Sequence, residues 1–196
     1  MFPSSHDITP INLRSSIKLL QKLFEAGNEI LIVSKPHLSC IKEICSTCKD
    51  YKSQVLFRFT IGSADNKTLK IWEPNAPSFE ERLECLKYSY EQGYQTSVSC
   101  EPMLDNQISA VIEAVIPYVT DAVWIGTINN LMRHLIISGI DSPEVLAQAE
   151  ILLAGQNVEE IKRLYNKYKD VDKIKWKSSI KKIIGIPLSD SIGADN

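Results

Sequence analysis

Hydrophobic positions along the chain follow two alternating rhythms. Leu13, Ile17, Leu20, Leu23 and Phe24 recur every three or four residues, the spacing of one helix face. Thr9 is placed to cap this helix, with Pro10 at its first position and Gly27 as its stop. Glu29 to Ser34 is a short β-branched run and predicts a buried strand, and His37 to Lys49 predicts a second helix. Gln54 to Ile61 predicts the next strand, ended by Gly62, and Asp65 to Trp72 a short helix stopped by Pro74. Ser78 opens a helix that runs to Gly93. Glu81 stands three positions on, where it can return a bond to the Ser78 amide. Thr96 to Cys100 predicts a strand, Asn106 to Val119 a helix and Ala122 to Gly126 a strand. The rhythm then changes. Helices are expected from Ser142-Pro143 to Ala154, from Asn157 to Lys169 and over Ser178 to Ile184, with a short strand near Lys173 to Lys175. Met1-Phe2-Pro3 reads as the end of a strand that begins upstream, and the tail from Pro187 as loose.

Strand, helix, strand repetition with nearly continuous apolar strands calls for parallel pairing, with helices outside the sheet. An open doubly wound sheet and part of a β/α barrel both satisfy this pattern. In either, ligands bind where the strands end. The expected strand ends carry Ser4, Ser5, His6 and Asp7; Ser34 and Lys35; Arg58 and Thr60; Ser97, Ser99 and Glu101; and Thr127 and Asn129. Arg58 alternates with Phe57 and Phe59, so it points away from them. A guanidinium inside a strand needs an anionic or carbonyl partner. Glu101 within the protein and a ligand carboxylate or phosphate are the two candidates. Lys35 is placed to hold the same anion or to be solvated. Glu101 is placed to act as a base, to hold an amino group or to serve structure alone.

Cys40, Cys45 and Cys48 have C-x4-C-x2-C spacing, which invites a metal reading. The segment is helical, however, and Leu38, Ile41, Ile44, Cys45 and Cys48 form one apolar stripe, with Cys40 off it. The core reading is therefore preferred, and no metal ligands are assigned. Cys100 is expected to face the rim. His6 beside Asp7 suits acid–base work or a helix-entry hydrogen bond, and Trp72-Glu73-Pro74 with Pro77 predicts a rigid loop able to cover a ligand. No phosphate-binding glycine loop, nucleophile elbow or HExxH motif is present. No catalytic residue can be named.

Composition narrows the class without naming a function. The chain has 196 residues, 44% of them hydrophobic and 23% charged, which are globular proportions. Twenty-two basic residues against 24 acidic ones leave a net charge of −2. There is no basic excess to bind nucleic acid, and the Lys173 to Lys177 stretch with Trp176 predicts a solvated helix start. No run is long enough to span a membrane, and no signal peptide opens the chain. Five cysteines without a secretory signal predict reduced thiols and a cytoplasmic location.

Two strings carry a resemblance. Phe57-Arg58-Phe59-Thr60-Ile61-Gly62 is followed by Trp72-Glu73-Pro74-Asn75-Ala76-Pro77-Ser78-Phe79-Glu80-Glu81-Arg82. Together they resemble radical SAM proteins near the spore photoproduct lyase group. Ile32-Val33-Ser34-Lys35 is similar to that family's strand ending in lysine, and Val98 to Leu104 to its next strand with a proline exit. The match covers about Met1 to Asn130. It implies an α/β fold: a parallel, partial β/α barrel of the TIM type over residues 1–140, N-terminally truncated. A C-terminal helical extension with a last strand would occupy 141–186, and a flexible tail 187–196. The resemblance also implies S-adenosylmethionine as cofactor. Ser4 and Ser5 would meet its amino group, and Lys35 and Thr60 its carboxylate or ribose. Arg58 and Glu101 lie on the matching strands. The family's 4Fe–4S cluster is held by a C-x3-C-x2-C loop that this chain lacks. The expectation is thus a SAM-binding rim that is inactive alone. A separate cluster-bearing polypeptide is a possible partner, and a non-catalytic small-ligand module is the alternative. Nothing carries over the DNA substrate of the photoproduct lyases.

Overall fold

The computed structural model describes residues 1–188. Five strands form one sheet: β1 (Ile30–Ser34), β2 (Val55–Thr60), β3 (Gln95–Cys100), β4 (Val123–Ile125) and β5 (Ile174–Trp176). Every pair is parallel, and the spatial order is the chain order. A doubly wound sheet reverses its strand order at a switch point, and this sheet has no reversal. Phe2 extends the β1 edge by a single parallel bridge to Ile32; its amide donates to the Leu31 carbonyl at 2.7 Å.

Helices pack on one face of this sheet. They are α1 (Leu13–Glu25), α2 (Leu38–Thr47), α4 (Phe79–Glu91), α5 (Ile108–Val115), α8 (Val158–Tyr168) and α9 (Ser178–Ile184). The strands meet them with Ile32, Phe57, Phe59, Val98, Val123, Ile125 and Trp176. Residues after 140 are part of that core, among them Ile161, Ile174 and Ile180. The opposite face carries the rows Val33–Arg58–Ser97 and Thr60–Ser99–Trp124–Lys175. Helices α6 (Leu131–Ile137) and α7 (Pro143–Ala154) build a smaller cluster of their own around Leu131, Leu135, Ala149 and Leu152. A short α3 (Asn66–Trp72) leads into the loop before α4.

Several sequence expectations need correction. Helix α1 starts at Leu13, not at Pro10, because Asn12 takes over the entry. The Asn12 Oδ1 accepts from the Thr9 amide at 2.8 Å and its Nδ2 donates to the Asp7 carbonyl at 2.9 Å, which closes a turn. Ser78 does cap α4 by accepting from the Glu81 amide. The Glu81 carboxylate, however, accepts from the Leu38 amide at the start of α2, 3.0 Å away, instead of closing a capping box. The helix expected to run to Val119 ends at Val115 and tightens into a 3₁₀ turn over Ile116–Tyr118, which includes Pro117. No element was expected at α6. It follows Asn130, an N-cap residue in the left-handed region (φ 53°) that makes no side-chain cap bond. Cys40, expected off the apolar stripe, is buried, and Cys100 lies on the helix-packed face rather than at the rim. The tail expected to be loose falls from residue 189 onward outside the described residues.

Candidate functional site

A cleft of about 510 Å³ opens beside the carboxyl ends of β1 and β2. Its walls are His6, Asp7, Thr9 and Asn12 from the N-terminal segment, Lys35 and His37 after β1, and Trp72 to Pro77. That volume is in the range of small-molecule sites. An alternating series of charges lines it. Lys35 Nζ donates to Asp7 Oδ2 at 3.2 Å and lies 3.8 Å from Glu73 Oε1. The Lys35 amide also donates to Asp7 Oδ1, at 2.7 Å, so Asp7 holds this residue by backbone and side chain together. Behind Glu73 stands Arg82, which is 0% exposed, with its Nη1 2.7 Å from Glu73 Oε2. That oxygen lies off the N–H axis, so the contact is an ion pair rather than an aligned hydrogen bond.

Arg82 also organises the loop. Its Nε donates to the Pro77 carbonyl at 2.8 Å and its Nη1 to the Thr60 carbonyl at 3.1 Å. One guanidinium therefore ties the Glu73 side chain, the end of the Trp72–Pro77 loop and the last residue of β2 into one unit. Sequence reasoning took Arg82 only as part of a motif. Its signal was available: Arg82, Cys85, Leu86 and Ser89 form the buried face of α4 at helical spacing.

The six expected cofactor contacts do not gather in one place. Lys35 lines the cleft. Ser4 and Ser5 are exposed in the turn after the Phe2 bridge, outside the cleft wall. Thr60 reaches the cleft only through its carbonyl on Arg82. Arg58 and Glu101 lie elsewhere and do not pair with each other. In the sheet register Arg58 stands opposite Ser97, and Glu101 lies four residues further along, about 13 Å at strand rise. Arg58 Nε instead donates to Ser97 Oγ at 3.1 Å, and its Nη2 to Asp121 Oδ2 at 3.3 Å. Glu101 pairs with Lys177, 3.2 Å away. Trp124 lies between these two groups, with Arg58 Cζ 5.1 Å and Lys177 Nζ 5.2 Å from its ring centre. Its Nε1 is buried with no acceptor, which costs on the order of 1–3 kcal/mol for a lone donor. Trp176, the aromatic residue of the Lys173 to Lys177 stretch, is buried with Tyr165 at 5.3 Å and offers no stacking face.

The cysteines are core groups. Burial pushes the Cys45 thiol up to about 12 and the Cys48 thiol up to about 11, and it raises Cys40, Cys85 and Cys100 as well. Among the described residues no group of three or more His, Cys, Asp or Glu side chains converges on a metal position. These residues do not fit a 4Fe–4S cluster. In the cleft, by contrast, carboxylates and an ammonium stand side by side.

Fold and cleft together define a singly wound parallel α/β protein with a charged cleft at the strand ends. Among the described residues no helix is long and apolar enough to cross a membrane. No protein-family profile and no solved structure matches the chain. It is similar to the uncharacterized protein ORF301 of Acidianus two-tailed virus, with 32% identity over 104 residues, or 53% of this chain. The chain spans about a third (34%) of that relative's length.

Proposed function

We propose that this chain is a radical SAM-like, partial β/α barrel that binds S-adenosylmethionine and holds no cluster of its own. One observation carries the reading. Lys35 and Glu73, from two segments that resemble the family, meet across one cleft beside the strand ends. Asp7 and Glu73 would take the ligand's ammonium, and Lys35 its carboxylate. The consecutive strand order supports the barrel part of the reading, because helices then lie on one face and the other face is left to curve inward. When bound, the cofactor would supply the reactive sulfonium. The chain's own residues orient it and hold its charges.

Calorimetric titration with S-adenosylmethionine tests this reading. Saturable binding is expected, weakened at least about tenfold in Lys35→Ala, the scale of one lost charged hydrogen bond. Absence of heat in a folded protein would sink the reading and leave the small-ligand module, to be probed with other zwitterions. A separate polypeptide supplying the cluster is favoured by the β1 edge, which is paired only at Phe2 among the described residues. Anaerobic reconstitution with iron and sulfide is expected to give no 5′-deoxyadenosine from this chain alone. Product that depends on Cys40, Cys45 and Cys48 would overturn that expectation.

A further inference from the structure

We propose that the face of the sheet opposite the packed helices is a second ligand surface, built around Trp124 to bind an oxyanion, a phosphate or carboxylate group. It is separate from the cleft and does not depend on S-adenosylmethionine. Three observations converge. The first is an asymmetry of burial within the ion pairs. The Arg58 and Lys177 side chains are 17% and 15% exposed, whereas their partners Asp121 and Glu101 are 38% and 33% exposed. The cations have largely given up their water and are fixed in place. Their carboxylates stay solvated and can swing away at little loss, as exposed pairs do. An incoming oxyanion can take their place and gain charge-assisted hydrogen bonds.

The second observation is the Trp124 indole. The residue is 8% exposed, and its buried Nε1 has no acceptor within the protein. An oxyanion held by Arg58 at the edge of the ring would offer that acceptor. The third is the polar row beside it. Thr60, Ser99, Trp124 and Lys175 stand level across four strands, on a face where parallel sheets usually carry apolar side chains packed under cover. Arg58 and Lys177 flank the Trp124 ring from this face, which brings two cations to one indole.

Indole ¹⁵N–¹H spectra of the whole chain provide the test. Three Nε1–H signals are expected, from Trp72, Trp124 and Trp176, and Trp124→Phe identifies the middle residue by loss of its peak. Inorganic phosphate and acetate are titrated separately at constant ionic strength. The Trp124 signal is expected to move saturably with at least one of them while the other two stay still, and the better anion tells phosphate from carboxylate chemistry. In Arg58→Gln the midpoint should rise at least about tenfold, and Arg58→Lys should recover part of it. If Arg58→Gln loses the dispersion of its signals, Arg58→Lys alone is compared, with an intermediate midpoint expected. A Trp124 signal unmoved by both anions, or a midpoint unchanged in the Arg58 variants, would overturn the proposal.

Discussion

Removing the Arg82 guanidinium strands three acceptors at once: the Glu73 carboxylate, the Pro77 carbonyl and the Thr60 carbonyl. Glu73 is only 11% exposed, so water cannot fully replace the lost cation. Arg82→Met is expected to cost about 3–5 kcal/mol in urea unfolding, the scale for breaking one side of a buried pair. A loss below about 1 kcal/mol would mean the loop relaxes onto solvent. The thiols give a second residue-level expectation, in pH. Cys45 and Cys48 are raised by burial to about 12 and about 11, against 9.0 in ordinary surroundings. Between those values the unfolded chain has released protons that the folded chain retains. Stability is therefore unaffected below about 9 and falls as pH rises toward 11 and 12. Cys45→Ala should flatten that alkaline decline in denaturant midpoints measured from pH 8 to 11, even if it lowers the midpoint at pH 8. An unchanged slope would remove Cys45 from the cause.

At the scale of elements, two glycines after strands show how closely the exits pack. A methyl group at Gly62 would lie 2.6 Å from the Pro102 carbonyl oxygen and 2.9 Å from Leu104 Cγ. Backbone cannot step aside as a side chain can, so Gly62→Ala is expected to destabilise by about 1–3 kcal/mol. At Gly126 the same methyl meets Glu101 Cγ at 2.9 Å, a side chain that can rotate. Gly126→Ala should cost under about 1 kcal/mol, provided Glu101 can turn away from Lys177. Thermal unfolding of the two variants checks the order, and a larger loss at Gly126 would contradict it. The strands and most helices were legible because their apolar spacing was clear. Cap geometry was less so. Asn12 and Glu81 act through side-chain bonds to distant or preceding backbone, which no local pattern reveals. The site was legible in part for the same reason. Lys35 stood out at a strand end, whereas the pairing of Arg58 with Asp121 depends on register across two further strands.

At the scale of the molecule, stability should be uneven. The sheet and its helices share one large core, while α6 and α7 rest on a small cluster and leave Ile136, Ile137 and Ile151 exposed. Native-state hydrogen exchange is expected to open α6 before β2 and β3, at lower free energy. Equal protection in all three would show a single cooperative unit. The consecutive strand order has a further consequence, for the nascent chain. Ile30 stands opposite Val55 and Val98 opposite Val123, so each strand finds its neighbour among residues made shortly before it. A chain emerging from the ribosome can add strands to a growing edge without waiting for its C-terminus. Only β5, which returns to β4 after three intervening helices, must span a long stretch to dock. Translation itself thus sets the order of assembly, with β5 the last of the described strands to join the sheet.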